Sequence, residues 1–95
     1  MPGYIIAKVN ISDMEKYKEY MKATPASVEK YGGKIIVRGG ENVTLEGPAI
    51  DERVVVIEFE SLDRAKAWYY SNEYQKAKTL REGAATASFY AISGN

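Results

Sequence analysis

Histidine and cysteine are both absent from this chain, so its chemistry falls to arginine, tyrosine, tryptophan and the carboxylates. Their absence removes the commonest general base, the usual zinc and haem ligands, and every thiol. No cofactor is expected, and any metal site would have to be built from carboxylates and carbonyls. Arg38 is the first candidate ligand-binding residue. It closes a β-prone run and is followed by Gly39-Gly40. Its fork of donors suits a carboxylate or phosphate; alternatively it pairs with Glu46 or Asp51 and fixes the following loop. The two glycines either let a ligand approach the backbone or make a turn or bulge. They are not a phosphate loop, because the Gly-Lys-Ser/Thr ending is missing.

Tyr17, Trp68, Tyr69 and Tyr74 form the aromatic candidate set. The last three surround one break between helices, where they either stack on a flat ligand or fill the space between helix and sheet. Tyr17, on the inner side of the first helix, carries the same two readings. Glu58 is the one acid expected within a strand. With the first and third strands taken as parallel neighbours, Lys8 is its partner. The sharper alternative is a desolvated carboxylate acting as general base. Arg81 reads as a cap on the C-terminal end of its helix.

The elements that must position these residues follow from periodicity and punctuation. Tyr4 to Val9 is a β-branched strand. Ser12 opens a capping box with Glu15, and Met14, Tyr17 and Met21 follow at helical spacing. Pro25 is expected to interrupt that helix, and Gly32-Gly33 to end its second piece. Lys34 to Arg38 is the second strand, which Val43 to Leu45 extends beyond the glycines. Arg53 to Phe59 is the third strand. Ser61 and Ser71 cap two successive helical pieces, Gly83 stops them, and Ser88 to Ile92 is the last strand. The order strand, helix, strand, strand, helix, strand predicts one α+β domain over residues 1–95. Its expected fold is ferredoxin-like βαββαβ, a four-stranded antiparallel sheet with the helices on one face.

Alternation divides the strands into two faces. Ile5, Ala7, Val9, Ile35, Val37, Val55, Ile57, Phe59, Phe89 and Ala91 share one face, wholly apolar, which the helices should cover. The other mixes Tyr4, Lys8, Lys34, Arg38, Glu58 and Ser88 with Ile6, Ile36, Val54, Val56, Tyr90 and Ile92. That apolar fraction predicts a homodimer joined through the sheet.

The 13 basic and 13 acidic residues cancel, which argues against nucleic acid as a partner. No basic amphipathic helix or run of about 20 apolar residues points to a membrane. Without a charged leader segment the chain reads as cytoplasmic, and the sequon Asn42-Val43-Thr44 as accidental.

Tyr17 and Tyr20, Tyr31-Gly32-Gly33, Val37-Arg38-Gly39-Gly40, Leu45-Glu46-Gly47, Glu58-Phe59, Ala67-Trp68-Tyr69, Ser71, Glu73-Tyr74-Gln75 and Leu80-Arg81 together resemble domain of unknown function family 1330. The resemblance runs from Gly3 to about Ile92 and implies a ferredoxin-like protomer of the dimeric α/β-barrel superfamily. It implies no activity and no catalytic residue. Relatives in that superfamily include cofactor-free monooxygenases of aromatic substrates, lactone isomerases, haem enzymes and proteins without known catalysis, among which fold cannot choose. Two functions compete. One is binding of a small anionic or aromatic molecule near Arg38 and the tyrosines, with acid–base chemistry or cofactor-free oxygenation open. The other is a non-catalytic assembly or regulatory module. A concave, enclosed pocket reached by Arg38 and at least one tyrosine favours the first; a filled barrel with Arg38 tied into a surface salt bridge favours the second.

Overall fold

A computed structural model describes residues 1–95. Four strands, β1 (Gly3–Ile11), β2 (Lys34–Arg38), β3 (Arg53–Phe59) and β4 (Ala85–Ser93), form one sheet in the order β2-β3-β1-β4. Each neighbouring pair is antiparallel. Three helices, α1 (Met14–Lys30), α2 (Leu62–Tyr69) and α3 (Asn72–Lys78), connect them, and a 3-10 turn, Thr79–Arg81, follows α3. The fold is α+β and ferredoxin-like. No helix is long and apolar enough to cross a membrane.

Strand direction corrects the expected Lys8–Glu58 pair. The crossover through α1 makes β1 and β2 parallel to each other, so β3, lying between them, runs against both. Lys8 therefore faces Val54, while Glu58 faces Tyr4. Four residues along a strand put the two charges roughly 13 Å apart.

The first helix also departs from its expected form. Asp13, not Ser12, is the N-cap, its side chain accepting from the Lys16 N–H. The Ser12 hydroxyl is taken by the Ala84 carbonyl, which also accepts the backbone N–H groups of Ser12 and Asp13 and so ties α1 to β4. Pro25 lies inside α1 without breaking it. A proline in a helix interior costs about 3 kcal/mol; the burial of Tyr17, Tyr20, Thr24 and Val28 on one face of α1 outweighs that cost. Gly32, at φ 74°, ends the helix, with Gly32 N–H bonded to Glu29 O and Gly33 N–H to Val28 O. Ser61 and Ser71 cap α2 and α3 as expected, accepting from Arg64 N–H and Tyr74 N–H.

The core lies between the helices and the inner sheet face. Ile5, Ala7, Val9, Ile57 and Phe59 meet Tyr17, Tyr20, Val28, Ala65, Trp68 and Tyr74 there. Opposite, no helix covers Tyr4, Ile6, Lys8, Val54, Val56 and Glu58, and Tyr90 and Ile92 remain 54% and 53% exposed. Val43 to Leu45 does not extend β2. Residues 40–52 are irregular, and Leu45 is 93% exposed.

Candidate functional site

A cleft opens between α1 and the inner face of the sheet, with a cavity of about 80 Å³ and a mouth open to solvent. Its floor is Ala7, Val9, Val55, Ile57 and Phe89, and its wall is Tyr17, Tyr20, Met21, Thr24 and Pro25. Arg38, Ile35 and Arg53 complete the lining. Eight apolar side chains therefore surround two guanidinium groups and two phenols.

Arg38 reaches this cleft because β2 is irregular. Simple alternation places it on the outer face. The pairing shifts between Ile35, opposite Ile57, and Val37, opposite Val56, which brings Arg38 opposite Val55. The bulge turns Arg38 to the helix side and sends Val37 outward, reversing the expected face of both. Arg53 sits opposite Val9 at the start of β3. It lies across Gly39, where an added Cβ would be 2.5 Å from the Arg53 Cγ. Gly39, at φ 69°, thus serves both a turn and the close passage of this side chain.

Neither arginine has a carboxylate partner. The ion pairs are Lys18–Glu15, Lys22–Glu19, Lys30–Glu73 and Lys66–Asp63. The expected pairing of Arg38 with Glu46 or Asp51 does not form. The Arg53 Nε is buried without a hydrogen-bond acceptor. A cleft holding two cations and no acid, in a chain of zero net charge, is locally positive.

Burial pushes the Tyr17 hydroxyl up to about 12, with neighbouring Tyr20 adding to the shift and Arg53 and Arg81 opposing it. Tyr20 is also raised, first by burial and then by Tyr74, whose hydroxyl is 2.8 Å away. Both phenols are protonated near neutral pH and cannot act as bases there; Tyr17 can donate to an oxygen in the cleft, while the Tyr20 hydroxyl is paired with that of Tyr74. A pH dependence follows. Tyr17 has a folded pKa of about 12 against an ordinary 10.0, so its contribution is fully present below pH 10. Deprotonation favours the unfolded chain, and up to about 2–3 kcal/mol is lost as pH rises through 12. Urea melts between pH 9 and 12 should show this decline, and Tyr17→Phe should make it less steep, leaving the share that buried Tyr20 and Tyr74 contribute. An equally steep decline in the variant would remove Tyr17 as its source.

The other aromatic candidates do not join Tyr17. Trp68 and Tyr74 are fully buried, their rings 4.2 Å apart, and the Trp68 Nε1–H donates to Ser27 Oγ at 3.0 Å. They are core, not a cage. Tyr69 packs on Tyr74 and Phe89 but also lines a second cleft beside β4. Glu58 is on the outer face, accepting from the Tyr4 hydroxyl at 3.3 Å, and reaches neither cleft. Arg81 is buried between rings instead of capping its helix from outside. Tyr20, Arg53, Arg81 and Phe89 were missed as site residues. For Arg53 a signal existed, because counting back by twos from Phe59, Ile57 and Val55 puts position 53 on the inner face.

The model of a domain of unknown function, DUF1330, matches residues 2–95. The chain belongs to the DUF1330 family. No curated protein matches this DUF1330 chain. Among solved structures, the protein of unknown function RPA0582 from Rhodopseudomonas palustris is similar at TM-score 0.75 and 20% identity, over 99% of this chain and 82% of that one. A dimeric ferredoxin-like protein of unknown function from Jannaschia sp. CCS1 gives TM-score 0.71 and 10% identity, over 99% and 100%. SnoaB, a cofactor-independent oxygenase from Streptomyces nogalater, gives TM-score 0.61 and 9% identity, over 99% and 93%. At these identities the likeness is one of fold.

Proposed function

We propose that this chain acts as a single domain that pairs with a second copy through its outer sheet face. Each protomer binds a small anionic molecule with an apolar, flat body in the cleft beneath α1. One observation carries the reading: Arg38 and Arg53 line an otherwise apolar cleft, and neither has an acid within 4.0 Å. An oxyanion would supply the missing partner, and the aliphatic floor would take the body. Tyr17 would donate to a ligand oxygen, a role compatible with proton transfer but not requiring it. The dimeric Jannaschia protein and the oxygenase SnoaB lend support, since both hosts of this fold pair or act on a substrate without a cofactor.

A thermal-shift and calorimetry series with benzoate and benzyl alcohol tests the reading. Benzoate should stabilise the protein and benzyl alcohol should not. Arg38→Ala and Arg53→Met should each weaken benzoate roughly tenfold to a hundredfold, the worth of one charged hydrogen-bond contact. Because Arg38 is exposed, its variant should melt like the parent in the absence of ligand. Equal response to the acid and the alcohol, or unchanged affinity in both variants, would refute anion recognition in this cleft.

A further inference from the structure

A second cleft lies on the other flank of the helical layer, between α2, the turn after α3 and strand β4. Its cavity is about 450 Å³, with a mouth open to solvent. Lys66, Lys78 and Arg81 line it, with Tyr69 above and Ile5, Ala87 and Ala91 among its sheet residues. No acidic side chain lines it.

Arg81 is the unusual member. It is only 9% exposed, yet has no carboxylate within 4.0 Å. Its guanidinium lies 5.4 Å from the centre of the Tyr20 ring and 5.2 Å from that of Phe89. Its one hydrogen bond runs from Nη2 to the Tyr74 hydroxyl at 3.4 Å, and its Nε has no acceptor. Flanking rings recover part of the cost of burying a cation, but they do not replace an anion. Lys78, whose ammonium sits 5.6 Å over the Tyr69 ring, adds a second positive charge to the same cleft.

We propose that this second cleft is an oxyanion site, distinct from the one beneath α1. It takes a small carboxylate or phosphate ester whose charged end neutralises Arg81 and Lys78 and whose apolar body rests on Ile5, Ala87 and Ala91. The two clefts meet at Phe89, which lines both, so each has its own cations on either side of a shared ring.

Arginine Nε–H resonances of the intact protein, titrated with phenyl phosphate, benzoate or benzyl alcohol, decide the matter. The Arg81 signal should move saturably with at least one of the two anions and not with the alcohol. Whichever anion binds tighter tells phosphate esters from carboxylic acids. Lys78→Gln should weaken that response roughly tenfold or more, while Arg38→Ala, which touches only the first cleft, should leave it intact. The proposal is overturned if Arg81 does not respond, or responds equally to the alcohol. It is equally overturned if its response is lost in Arg38→Ala and kept in Lys78→Gln, which would place the ligand beneath α1. A response at Arg81 with none at Arg38 or Arg53 would instead sink the first site and keep this one.

Discussion

Trp68→Ala is expected to lower the unfolding free energy by about 3–5 kcal/mol, the usual cost of removing a large buried aromatic. Trp68 is fully buried, stacked against Tyr74 and tilted onto Phe59 at 5.6 Å. Its loss leaves a cavity where helix and sheet meet, and removes the Nε1–H that Ser27 Oγ accepts, leaving that hydroxyl only its bond to the Thr24 carbonyl. A domain of this size has about 5–15 kcal/mol in total, so the variant should sit near the edge of folding. Its melting temperature should fall by roughly 15 °C or more. Tyr70→Ala is the control, since Tyr70 is 75% exposed and should change stability by no more than about 0.5 kcal/mol. Circular dichroism during urea unfolding, at one fixed protein concentration, measures both. A Trp68→Ala protein within about 1 kcal/mol of the parent would mean that Trp68 borders an open space, and the aromatic cage would return.

The contrast between these two neighbours shows what a sequence does and does not carry. Periodicity placed Trp68 inward, and the strand order and the Ser61 and Ser71 caps were equally legible, because each rests on a local pattern. Arg38 was misplaced because one irregular step near Ile36 inverts alternation beyond it. No residue type announces such a step. Arg53 was overlooked because its charge argued against an inner face, although its position required one. On α1, counting apolar residues favoured Met14 and Met21, both exposed, over Tyr20 and Thr24, both buried. The buried stripe is semi-polar, and its hydroxyls are satisfied within the fold: Tyr20 by Tyr74, and Thr24 by the Tyr20 carbonyl. Pro25 misled for a related reason, since propensity is a local cost and packing along the whole helix exceeds it. The Lys8–Glu58 error came from strand direction alone. Arg81 could not have been foreseen, because what makes it notable is the missing anion around it.

Ile6→Asp and Val56→Asp are each expected to dissociate the proposed dimer to monomer at about 10 μM, raising its dissociation constant a hundredfold or more. Ile6 lies opposite Val56 on one side and Tyr90 on the other, near the middle of the uncovered sheet face. Four strands about 4.8 Å apart and some 25 Å long give that face roughly 500 Å² in projection. Two such faces bury about 1,000 Å², the lower limit for a specific interface. A carboxylate at the centre would be desolvated, a cost of several kcal/mol that Lys8, one step along the same face, offsets only in part, and that exceeds what so modest an interface can spare. In the isolated protomer the same position is only half-buried, so each variant should keep a native circular dichroism spectrum. Sedimentation equilibrium separates these expectations. A parent chain that sediments as a monomer at tens of micromolar would leave the outer face wetted, and its isoleucines and valines would need another partner to cover them.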